Sequence, residues 1–166
     1  MNFRKFSTFL ISFVFIFVSL RFYSFVEDYS SWQYADWLIN YQGGFVRRGL
    51  FGEIFFNIYK FFSLRLDLIV FFFVIFLYAV FSYYLIKSLK YLEVSKLNIL
   101  IFLSPGFFIY PMMNSEVIGR KDILLITTIS WLIFLFDKIK INYQLPVIII
   151  SIIVLSLTHT GFLFYS

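Results

Sequence analysis

An all-α, polytopic membrane fold is what this sequence predicts, and three observations predict it. Of its 166 residues, 61% are hydrophobic and 25% aromatic, and the mean hydropathy is +0.90. No soluble domain needs that much apolar surface, so membrane spans are its natural sink. The apolar residues also fall into long segments parted by short polar loops. Finally, tryptophan and tyrosine crowd the first of those loops at a density that marks a membrane–water interface.

Taken in order, the chain reads as one transmembrane domain over residues 1–166. Met1 to Lys5 is short and basic, and Phe6–Val26 follows as an apolar segment. No small-x-small cleavage site follows it, so it reads as a signal anchor and first span. Glu27–Gly49 is a polar loop carrying Glu27, Asp28 and Asp36 beside Trp32, Tyr34, Trp37 and Tyr41. Leu50–Ser63 has helical spacing, with Phe51, Ile54, Phe55, Ile58 and Phe62 on one face and Glu53, Asn57 and Lys60 on another. That pattern predicts an interfacial amphipathic helix.

Leu66–Ile86 is a second span, closed by Lys87, Lys90 and Lys96. Leu97–Met113 is a third apolar segment, with Pro105-Gly106 kinking it. A second polar loop, Asn114–Asp122, precedes the fourth segment, Ile123–Phe136, and Pro146–Ser166 is the fifth. The prediction is therefore four to five spans. The third and fourth segments are shorter than the roughly 20 residues a bilayer core requires. Either tilted neighbours and local thinning accommodate them, or the loop between them dips below the surface and lines a polar vestibule.

Alternation with the N-terminus inside puts Arg4, Lys5, Lys87, Lys90, Lys96, Lys138 and Lys140 on the cytoplasmic side. Arg21, Arg47, Arg48, Lys60, Arg65, Arg120 and Lys121 then lie outside. The counts are equal. The first-span flank and the lysine-only inner loops favour a cytoplasmic N-terminus, and the outer arginines run against the positive-inside trend.

Several functions are excluded. Without cysteine there is no disulfide, no thiolate chemistry and no cysteine-ligated metal, and one histidine cannot make a multi-histidine site. No P-loop, dinucleotide fingerprint or nucleophile elbow is present. The net charge of +5 reflects loop lysines, and no basic run suggests nucleic acid as a partner.

The stretch YQGGFVRRGLFGE, Tyr41 to Glu53, is the most specific feature. Gly43-Gly44 permits a sharp turn, and a glycine turn feeding a helix suits an anion. Arg47 and Arg48 stand there with planar forks of donors that match phosphate. The plainer alternative is that both anchor the helix to lipid headgroups. Asp28 and Asp36 are candidates for a general base or for holding a divalent cation, or are simply solvated. Arg120 and Lys121 are candidates to clamp a second phosphate or sugar, or they snorkel. Glu116 and Asp122 bind substrate beside those cations or merely pair with them. His159 offers acid–base chemistry, or hydrogen-bonds within helix packing.

The islands GGFVRRGLFGE, LSPGFFIYP, GRKD and HTGF together resemble integral membrane proteins found with bacterial surface-polysaccharide genes. These include O-antigen or capsule polymerases and multi-span glycosyltransferases that use polyprenyl-phosphate-linked sugars. The resemblance implies a bacterial inner-membrane protein with donor phosphates on Arg47, Arg48 and Arg120, and base or metal duty on Asp28 or Asp36. It departs where Thr160 follows His159, a place where that group often has an acidic residue. The chain is also short for such an enzyme, which leaves open a fragment or a truncated, inactive product. A non-catalytic membrane subunit or small transporter is the alternative from a different class.

Overall fold

The computed structural model describes residues 3–28, 31–46, 48–89, 104, 110–136 and 138–158, which hold helices and no strand. In chain order these are α1 (Phe3–Glu27), α2 (Trp32–Trp37), α3 (Leu50–Phe62), α4 (Leu66–Ser88), α5 (Tyr110–Met113), a 3₁₀ turn at Ser115–Val117, α6 (Asp122–Phe136) and α7 (Ile141–Thr158). Within α1 the stretch Lys5–Glu27, and the whole of α4 and α7, are long and apolar enough to cross a membrane. α6, at 15 residues, is shorter than such a span. The third apolar segment, 97–113, lies outside the described residues except for Ser104 and its last turn, α5.

α4 is the centre of the bundle, with α1 along one side and α6 along another. α1 runs antiparallel to it, since Phe22 and Tyr23 near the end of α1 meet Phe71 near the start of α4. α6 runs parallel to it. The Thr127 hydroxyl donates to the Leu77 carbonyl, and a few residues on Phe134 stacks on Tyr84. α7 folds back from α6 through the turn at 138–140, where the Gln144 amide donates to the carbonyls of Phe136 and Ile139. This turn explains why α7 begins at Ile141, ahead of Pro146.

The buried residues of α1 are Ile11, Val14, Val18, Phe22 and Val26, a helical stripe facing α4. Val70, Val74, Leu77 and Tyr78 of α4 answer it. The other faces are just as apolar. Phe9, Phe13, Ile16 and Leu20 on α1, Phe72 and Phe76 on α4, Ile129 and Ile133 on α6, and Ile149, Ile150 and Ile153 on α7 are all exposed. In water, each would leave apolar area unburied at about 25 cal/mol per Å². Against lipid tails that cost vanishes, and only helices with internally satisfied backbones suit such a setting.

The first polar loop is more structured than its composition suggests. It contains α2, and Tyr34 and Trp37 are buried there. Trp37 is 0% exposed and packs with Phe51, Phe55 and Phe73. α3 therefore turns Phe51, Gly52 and Phe55 toward the bundle, while Ile54 and Phe62, expected on the same face, are exposed. The close approach at Gly52 sets this rotation, because any Cβ there would overlap the Ile39 carbonyl oxygen. Ser63, in a left-handed conformation at φ 52°, ends α3 and turns the chain into α4.

Candidate functional site

The turn at Gly119 places the second polar loop. Its φ is +80°, a conformation that glycine adopts without steric cost, and a side chain there would overlap the Phe22 ring. The Gly119 carbonyl accepts a 2.6 Å hydrogen bond from the Trp37 indole, and its N–H donates to the Tyr78 hydroxyl at 3.3 Å. Trp37 also packs on Phe73, seven residues into α4, or about 10 Å along it at the helical rise. The Ile118–Gly119 turn thus packs into the bundle beside the middle of α4, while Glu116 and Arg120 of the same loop are exposed.

Immediately after the turn, neighbouring side chains take different partners. Lys121 points toward the first polar loop and is 2% exposed. Its ammonium donates to the Arg48 carbonyl at 3.1 Å, lies 3.7 Å from an Asp36 carboxylate oxygen and sits 5.8 Å from the Trp37 ring centroid. Burial pushes its pKa below the ordinary 10.5, against the pull of the Asp36 carboxylate, and Arg48 adds to the lowering. Arg120 takes different partners. Its Nε pairs with Asp122 at 2.9 Å and its guanidinium lies over Trp32. Arg120 and Asp122 edge a cleft of about 370 Å³ between α1, α4 and α6.

The glycine-arginine stretch is built by Glu53. Its carboxylate accepts from the Tyr41 N–H at 3.1 Å, the Gln42 amide at 2.8 Å and the Asn57 amide at 3.3 Å. These bonds, Gln42's foremost, hold its carboxyl below the usual value of 4.5. Gly44, at φ +119°, makes the turn that follows. Gly49 faces the Tyr41 ring so closely that a Cβ would overlap it.

Of the residues singled out from the sequence, the structure brings Asp36, Lys121 and the Arg48 backbone together, and separately Arg120 and Asp122. Arg120 and Lys121, offered by the sequence as a clamp for a second phosphate or sugar, pair with different carboxylates, Asp122 and Asp36. Arg48 is exposed, and no ion pair holds its guanidinium among the described residues. Glu116 is exposed on the 3₁₀ turn, where its N–H is capped by Asn114. Asp28 lies just past α1, and its carbonyl accepts from Ser31. Arg47 and His159 lie outside the described residues. Among the described residues, no group of three His, Asp or Glu side chains is placed to hold a metal ion, and Asp36 faces the Lys121 ammonium at 3.7 Å.

Sequence reasoning missed Trp37, Tyr78, Gly119 and Glu53 as organisers of the site. The signal for Gly119 was available, as a lone glycine directly before three consecutive charges. Comparison of the chain with protein-family models, with curated proteins and with solved structures finds no match in any of the three.

Proposed function

We propose that this chain is an integral membrane protein of bacterial surface-polysaccharide assembly. It binds a polyprenyl-phosphate-linked sugar at the outer face of the cytoplasmic membrane, for glycosyl transfer or polymerisation. Its N-terminus is cytoplasmic, and it has four or five spans. One observation supports this reading above the others. The buried Lys121 ties the Arg48 loop to the Arg120 loop, so two arginines with no shared partner stand at one end of an otherwise apolar bundle. Charges in such a setting are costly and by default mark a function. Two arginine side chains brought to one place supply the donors that stabilise a leaving phosphate.

A second reading, a non-catalytic membrane subunit, draws on a different observation. The Asp36 carboxylate, a candidate base, already faces the Lys121 ammonium. Proteoliposomes given a polyprenyl-phosphate-linked sugar separate the two. The enzyme reading predicts sugar transfer that is lost in Asp36→Asn and Arg48→Lys although both still insert. Unaltered transfer in both, or none in the wild type alongside retained lipid binding, would remove the catalytic reading in favour of the subunit.

A further inference from the structure

We infer that the cleft between α1, α4 and α6 is a binding site for a phosphate-headed lipid that enters sideways from the bilayer. The inference rests on the membrane setting proposed above but not on glycosyl transfer. Its walls are apolar, formed by Val14, Val18, Tyr78, Phe81, Ile123 and Ile126. Ile126 and Tyr110, both lining it, are exposed, so the cleft opens on the bundle's lipid-facing side. At about 370 Å³ it falls in the range of small-molecule pockets. It holds part of an apolar chain, and the remainder lies among the lipid tails.

The charged edge of the cleft names the head. The Arg120 guanidinium has two neighbours, Asp122 on its Nε at 2.9 Å and the Trp32 ring at 5.9 Å. A guanidinium carries five N–H donors, and among the described residues its terminal NH₂ groups have no acceptor. That leaves a paired edge of donors at the mouth of the cleft, which fits two phosphate oxygens side by side. Asp122 is a positioning residue here.

Binding of a radiolabelled long-chain isoprenyl monophosphate to the full chain in phosphatidylcholine nanodiscs tests this. The matching isoprenyl alcohol and phosphatidic acid serve as competitors. The phosphate is expected to outbind the alcohol roughly tenfold to a hundredfold, the range for a charged hydrogen-bonded contact. Arg120→Gln should bring that ratio close to one while alcohol binding persists, which a misfolded protein would not show. Arg120→Lys should keep only part of the ratio. Ile126→Trp, at the exposed rim, should weaken both ligands. Equal binding of phosphate and alcohol by the wild type, or an unchanged ratio in Arg120→Gln, overturns the site. Phosphatidic acid competing as well as the isoprenyl phosphate keeps the phosphate-lipid site and removes the polyprenyl part of the proposed function.

Discussion

Replacing Lys121 and Asp36 singly and together probes the link on which the site depends. Asp36→Asn leaves an ammonium whose side chain is 1% exposed without its carboxylate. Breaking a buried pair in this way costs about 3–5 kcal/mol, and partial hydration at Asp36 places the effect near about 3 kcal/mol. Lys121→Met removes the buried charge itself and keeps the volume. It loses the hydrogen bond to the Arg48 carbonyl but recovers the ammonium's burial cost, so its net effect is about 1 kcal/mol. The double variant removes both charges and should be no worse than about 1–2 kcal/mol, giving a coupling of about 2 kcal/mol. Steric-trapping measurements of unfolding in bicelles read these values. The pH dependence adds a check. Lys121's folded pKa lies below its ordinary 10.5, so the unfolded chain binds more protons between the two values and stability rises with pH across that window. Lys121→Met should abolish that rise. Lys121→Met costing more than Asp36→Asn, or purely additive effects in the double variant, would refute the reasoning.

Four further outcomes are expected. Gly119→Ala should destabilise by about 2 kcal/mol in thermal unfolding, through its positive φ and the overlap with Phe22. Gly43→Ala, with open space around it, should be nearly neutral. Trp37→Phe should cost about 2 kcal/mol, because the buried Gly119 carbonyl then lacks its donor. Glu53 binds the Tyr41–Gln42 turn in its ionised form, so that support is present above pH 4.5 and fades as pH falls through the depressed pKa. Amide exchange at Tyr41 and Gln42 should therefore lose protection in acid, and Glu53→Gln should show little of that pH dependence.

The helical class was legible because lipid leaves the backbone few choices. A run such as Leu66–Ser88 must satisfy its own N–H and C=O groups, and its composition shows this. The polar islands were legible as places but not as shapes. α2 is six residues long, too short for periodicity to reveal, and the aromatic content that suggested an interface also serves to bury Trp37. On α3 the apolar spacing gave a face, but the rotation came from Gly52 against Ile39, a contact outside the helix. The divergence of Arg120 and Lys121 was also beyond reach. It follows from the turn at Gly119, which Phe22, Trp37 and Tyr78 fix from three different helices.

The central claim is that the two arginine-bearing loops fold together at one end of a membrane-embedded bundle, opposite the lysine end. The chain contains no cysteine, so single ones report cleanly. Gln42→Cys and Glu116→Cys place thiols at exposed positions in the two loops, and Lys138→Cys places one at the far end. Intact cells would be labelled with a membrane-impermeant maleimide. Labelling of Gln42→Cys and Glu116→Cys but not Lys138→Cys is the predicted result. Labelling of Gln42→Cys and Glu116→Cys from opposite sides of the membrane would contradict the account.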